Sequence, residues 1–318
     1  MNTIESTGRR LRASAPGKLM LMGEHAVLRG RLALVCAVDQ RISVELKPRR
    51  DREVTIQSML GRHRCDLDTL TVQEPFEFVL GVLVRYGARL PSGFELTIES
   101  QFPDTVGLGS SAAVTAATTA VVHAWLRESN DKRVVFEDSW SVIREIQGKA
   151  SGADVAASVY GGIVGFRMSP LEIIELDGLY PITVVCSGTK AKTTEVITAV
   201  EDRHRRAPDR FEFLFDVMDR ASQDAVEAIR NGVWAEVGLT MTIGQDVMQG
   251  LGVSNDTLDA IVGALRDDPG ILGAKISGAG SGDCVVGLGT VKNPGFGYER
   301  LPIQMDSQGV IVELGVVR

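Results

Sequence analysis

Short apolar runs open the chain. Residues 19–22 and 32–38 read as buried strands, and residues 42–46 alternate as a half-buried strand should. Residues 49–52 form a charged turn, after which 54–56 and 94–98 continue the strand signal. Between them, 76–86 has helical spacing. From Ser111 the pattern changes to a helix rich in Ala, Thr and Val through Leu126, and 136–146 predicts another. Residues 161–166, 171–176 and 182–186 read as strands.

The second half carries long amphipathic helices over 210–231 and 233–251. Ser254 or Asn255 caps a further helix to about Leu265. Residues 274–276 run into a glycine loop, and 284–288 and 310–314 end the pattern as strands. Strands and helices mix without a steady βαβ rhythm, which predicts an α+β fold in two packed halves. The boundary falls between Leu176 and Pro181, giving units 1–180 and 181–318.

Composition narrows the function. The 318 residues carry 34 basic and 41 acidic side chains, a net charge of −7. That argues against general nucleic-acid or anionic-membrane binding, which need a basic surface. No apolar run approaches the ~20 residues of a membrane span. Glycine, 34 residues, exceeds its usual share of about 7%, as expected where loops approach a ligand closely. Cys36, Cys65, Cys186 and Cys284 form no CxxC pair, so they read as reduced thiols of a cytoplasmic protein rather than a zinc site.

The chemistry concentrates in three segments. Pro103-Asp104-Thr105-Val106-Gly107-Leu108-Gly109-Ser110-Ser111-Ala112-Ala113 lies directly before a long helix. Unpaired N–H groups and the positive dipole end make such a start an anion site. It is neither a P-loop nor a GxGxxG motif. Lys18 precedes the first strand run, and Glu24 and His25 follow it. Ser277-Gly278-Ala279-Gly280-Ser281-Gly282-Asp283 is a second glycine loop. Together they fit the lysine, serine and glycine-loop chemistry of phosphoryl transfer.

In this order these motifs resemble the GHMP kinase family, from Ala15 to about Leu288. The resemblance implies a two-domain α+β kinase: an N-terminal half like ribosomal protein S5 domain 2 and a ferredoxin-like C-terminal half. It implies ATP and Mg²⁺, with Pro103, Gly107, Leu108, Gly109, Ser110, Ser111, Ala112, Gly278 and Gly280 at the nucleotide. Asp154, matching the S-G-x-D motif, becomes the general base, and Lys18 its partner. Ser111 becomes a Mg²⁺ ligand. The position of the family's second metal-binding glutamate falls on Ile143, which cannot bind metal. Glu145, two residues on, substitutes only if the helix end shifts.

Within the family, residues 15–30 and 241–254 resemble mevalonate kinases. Residues 147–154 and 278–284 have the flavour of phosphomevalonate kinases instead. The resemblance implies phosphorylation of the hydroxyl of mevalonate, with phosphomevalonate or another small alcohol or sugar as alternative acceptors. Lys18, Glu24, His25, Asp154, Thr193 and Ala279 would contact the acceptor. Taken alone, His25 would be a hydrogen-bonded core histidine. Lys149 and Lys192 could serve either acceptor. Glu24 favours mevalonate, since a carboxylate repels an acceptor phosphate but accepts a hydrogen bond from a hydroxyl. The resemblance also allows a homodimer.

Overall fold

The computed structural model describes residues 9–102, 107–189 and 191–316. Pro103, expected in the nucleotide loop, lies outside the described residues. The first sheet contains β1 (Arg9–Met22), β2 (Ala33–Pro48), β3 (Glu53–Ser58), β4 (Gly61–Asp66), β5 (Phe94–Ser100), β6 (Ile163–Met168) and β7 (Leu171–Leu176). Its axis is β2, which pairs antiparallel with β1 along one edge. On its other edge it pairs with β6 near its start and β5 near its end.

The sequence pattern splits β2 into two strands, and the register explains why. Pro16 pairs with Arg41 but Gly17 pairs with Val38, so Asp39 and Gln40 bulge between the two apolar runs. A proline lacks the ladder N–H and is tolerated at such a break. The bulge lies immediately before Lys18, and bulges re-aim the side chains beside them.

Four helices pack in this half: α1 (Glu77–Tyr86), α2 (Ser110–Leu126), α3 (Lys132–Gln147) and α4 (Ala153–Tyr160). α2 and α4 lie on β1 and β2, while α1 and α3 flank α2. Ala112, Ala113, Ala116, Ala117 and Ala120 of α2 are at most 1% exposed. Small side chains let this helix approach the sheet closely, and its N-terminus is thereby pinned over β1.

The second half holds α5 (Thr193–Arg206), α6 (Pro208–Arg230), α7 (Trp234–Gly250) and α8 (Asp256–Arg266). They accompany an antiparallel sheet of β8 (Ile182–Cys186), β9 (Ile271–Ser277), β10 (Cys284–Gly289) and β11 (Arg300–Leu301), in the order β11-β8-β10-β9. Asn255 caps α8 by accepting from the Leu258 N–H. The last strand, β12 (Ile311–Val316), crosses back and pairs antiparallel with β1. By hydrogen bonding 311–316 belongs to the first sheet, although a division at 180/181 would assign it to the second unit. The expected α+β architecture is what is observed.

Candidate active site

Two glycine loops and a strand end meet at one place. α2 starts at Ser110 with Gly109 as its N-cap at φ 76°, and no side chain caps it. Its first N–H groups are therefore open to an anion. Leu108 O accepts from the Lys18 N–H at 2.8 Å, tying the loop to β1. A Cβ on Gly109 would lie 3.0 Å from Lys18 Cε and 3.6 Å from Asp154 Oδ2. Only glycine combines this left-handed backbone with so close an approach.

Lys18 Nζ lies 3.4 Å from Asp154 Oδ1, with side-chain exposures of 7% and 41%. An aspartate at a helix start can serve as its N-cap. That position belongs to Gly152, again without a side-chain bond, so the Asp154 carboxylate is not spent on capping. It stands in the first turn of α4, half-open to solvent and facing a buried cation.

Ser110 is exposed and Ser111 half-buried. Both line a cavity of about 300 Å³ whose wall includes Phe76, Phe78, Ile98 and Phe102. An apolar cavity ending at two serines and a helix N-terminus suits a flat ring with a phosphate chain. Ala112 is 1% exposed and Leu108 fully buried, so both can meet a nucleotide through backbone only.

The second glycine loop closes the other side. Met20 N–H donates to Ser277 Oγ at 2.9 Å, and His25 Nε2 lies 2.8 Å from Ala279 O. A Cβ on Gly107 would come 3.1 Å from the Asp283 carboxylate, so the two loops touch there. Gly280 packs on Val253, whose carbonyl would lie 2.5 Å from an added Cβ. Gly278 is looser, its nearest atom being Asp283 Oδ2 at 4.0 Å. Thr193 opens α5 with an exposed side chain.

Two expectations need correction. Glu145 does not join Ser111. Its carboxylate lies 3.5 Å from Arg85 and accepts from Ser141 at 3.2 Å. It borders a separate depression with Trp140 and Arg144. α3 runs on through Gln147, and Ile143 sits in the core at 4% exposure. Glu24 does not lie open toward an acceptor. It is 1% exposed and its Oε1 pairs with the wholly buried Lys275. Paired with Lys275, the Glu24 carboxylate does not turn away a phosphorylated acceptor. Glu24 Oε2 is buried without a hydrogen-bond partner.

Lys149 is bound to Glu201 at 3.0 Å and Lys192 to Glu195 at 3.4 Å. Burial pushes the Cys36 thiol up to about 12 and raises that of Cys284, which makes both inert as nucleophiles. Burial also lowers the pKa of His25, opposed by the Ala279 carbonyl and Glu24. Among the described residues no three His, Cys, Asp or Glu side chains form a metal cage. Mg²⁺ uses few protein oxygens beside phosphates and water, and the Ser111 hydroxyl fits that kind of site.

Sequence reasoning missed Lys275 and Asp283. The signal for Lys275 was a lone lysine inside the apolar strand run Ile271-Leu272-Gly273-Ala274-Lys275-Ile276. Asp283 closes a glycine-rich loop at φ 64° and is 8% exposed.

Residues 77–162 match the family model for the GHMP kinase N-terminal domain and 225–302 that for the GHMP kinase C-terminal domain. A mevalonate kinase from Archaeoglobus fulgidus is 33% identical over 302 residues, covering 95% of this chain and 99% of that one. The chain belongs to the GHMP kinase family. The mevalonate kinase of Aeropyrum pernix is also 33% identical, over 88% of this chain and 89% of its own. Among solved GHMP kinases, the Methanococcus jannaschii mevalonate kinase superposes with TM-score 0.78 at 24% identity, covering 92% and 98%. Lactococcus lactis galactokinase complexed with galactose superposes with TM-score 0.81 at 17% identity, covering 95% of each chain. These likenesses establish the two-domain GHMP kinase fold.

Proposed function

We infer that the protein is a mevalonate kinase, transferring the γ-phosphoryl group of ATP to the hydroxyl of mevalonate to give 5-phosphomevalonate. The observation that carries this is the near full-length match to mevalonate kinases. The pairing of Lys18 with Asp154 beside the open start of α2 supports it chemically.

Each residue then has a task. The N–H groups at the start of α2 and the Ser110 and Ser111 hydroxyls hold the phosphates, favoured by the helix dipole. Asp154 takes the proton of the attacking hydroxyl, a role worth about 10²–10⁴ in rate. Lys18 sits within ion-pair reach of that carboxylate and offsets charge growing on the attacking oxygen. His25 and the Ala279 carbonyl border the acceptor, with Thr193 on the side of α5. Ser111 would hold Mg²⁺ together with the phosphates; the ion offsets phosphate charge when bound.

An acceptor phosphate needs a cluster of Arg or Lys donors. Lys149 and Lys192, the cations expected near the acceptor, each face a carboxylate instead. What favours mevalonate over phosphomevalonate is the run of mevalonate kinases among the relatives. The free thiols of Cys36, Cys65, Cys186 and Cys284 fit the cytoplasmic location that the sequence suggests.

A coupled ADP-release assay over mevalonate, 5-phosphomevalonate, homoserine, galactose and shikimate tests the reading. Mevalonate should give the highest kcat/KM; a higher value for any other acceptor defeats it.

A further inference from the structure

Lys275 has no task in the transfer described above, yet its side chain is 0% exposed. A buried cation is costly unless it is paired and hydrogen-bonded. Its Nζ meets both Glu24 Oε1 and the Ile276 carbonyl. Lys275 belongs to the second sheet, whereas Glu24 stands just beyond the end of β1. The pair therefore crosses between the two halves. It lies directly behind His25, the next residue along the chain.

His25 is itself over-determined. Its backbone is held at φ 60°, unusual for a residue with a side chain. Its Nε2 is 2.8 Å from Ala279 O. A carbonyl only accepts, so this nitrogen carries the proton, and in the neutral ring Nδ1 is left as an acceptor.

We propose that Lys275 is a positioning residue for the acceptor site: by pairing with Glu24 it holds the corner at residues 23–25 so that His25 donates through Nε2 to Ala279 and offers Nδ1 to the acceptor hydroxyl. The proposal rests on the mevalonate kinase reading. The charged groups facing His25 are Glu24 beside it, Lys275 from β9 and Arg203 from α5. Burial lowers the pKa of His25, while the Glu24 carboxylate raises it and the two cations lower it further. With Lys275 present the carboxylate charge is cancelled. Without it, the unpaired carboxylate beside His25 raises that histidine's pKa, and the acceptor corner loses its arrangement.

The test is the pH dependence of kcat/KM in Lys275→Met. The acid limb for mevalonate should move up by about one pH unit, while KM for ATP stays within about twofold. In the double variant Glu24→Gln/Lys275→Met, which removes both charges, the limb should return to the wild-type position. A purely structural role would lower activity at all pH values and leave the limb in place; that result overturns the proposal. Should Lys275→Met fail to fold, ¹⁵N NMR of the wild-type histidines carries the test. His25 should show a protonated Nε2 and an unprotonated Nδ1 whose resonance moves when mevalonate binds. A protonated Nδ1, or one indifferent to mevalonate, overturns the proposal. If wild-type enzyme does not phosphorylate mevalonate at all, it is the functional reading that falls.

Discussion

At the scale of single residues, the pair proposed for catalysis was legible and its support was not. Lys18 and Asp154 lie in motifs whose glycine, serine and charge pattern has a chemical reason, and the fold brings them to 3.4 Å. The partner of Lys275 was illegible, even though a lone lysine in an apolar strand marks the position as unusual. Nothing local says that Glu24, about 250 positions away in sequence, will meet it. Asp154→Asn should keep the fold, since the residue caps nothing, and should lower kcat by 10² or more by the usual worth of a general base (about 10²–10⁴). Near wild-type kcat in a folded variant would remove Asp154 from the mechanism. Glu145→Gln should leave the Mg²⁺ dependence of turnover unchanged, because Arg85 and Ser141 hold that carboxylate. A strongly raised Mg²⁺ requirement in a titration would restore Glu145 as a ligand.

At the scale of elements, periodicity found what has one wet and one dry face. It missed β4, an edge strand of Gly-Arg-His-Arg-Cys-Asp with no apolar alternation. It missed α4, seven of whose eight residues are buried, so that no face stands out. It missed α5, where Val196 and Val200 alone are buried among charged residues. The packing of α1, α2 and α3 contains a polar node that periodicity also hides. Asp138 accepts from the Tyr86 hydroxyl at 2.5 Å and lies 3.2 Å from His123 Nε2 and 3.0 Å from Arg85. Its bonds to His123, then Tyr86 and Arg85, hold its pKa well below the usual carboxylate range. A depressed carboxylate stabilises the fold above its unfolded pKa of about 3.9 and loses that contribution as pH falls through the folded value. Thermal melts of wild type should therefore drop in Tm below about pH 4. Asp138→Asn should start lower at pH 7 and fall less steeply. An equal slope in both proteins would mean that the node does not couple to folding.

At the scale of the molecule, the two halves are fastened where the chain end returns. β12 closes onto β1, and Arg41 ties the returning segment down. Arg41 donates to Asp306 at 3.0 Å, to the carbonyls of Gln308 and Gly309, and to Ser14 on β1. This knot was invisible in the sequence, which placed 310–314 as a strand without saying which sheet it joins. Arg41→Ala leaves Asp306 and several carbonyls without their donor. Losses of about 1–3 kcal/mol per stranded buried group are usual, so urea unfolding should show destabilisation of that order; a midpoint unchanged from wild type would make the knot ornamental. The Lys275–Glu24 pair makes a second crossing, beside His25, whose Nε2 meets the Ala279 carbonyl of the second glycine loop. The most direct measurement of what the site does is a competition: equimolar mevalonate and 5-phosphomevalonate with limiting ATP, followed by ³¹P NMR. The site described here predicts growth of the 5-phosphomevalonate phosphomonoester signal, with ADP accounting for the new diphosphate and little 5-diphosphomevalonate formed. Preferential growth of 5-diphosphomevalonate beyond the ADP released, with mevalonate left untouched, would contradict it.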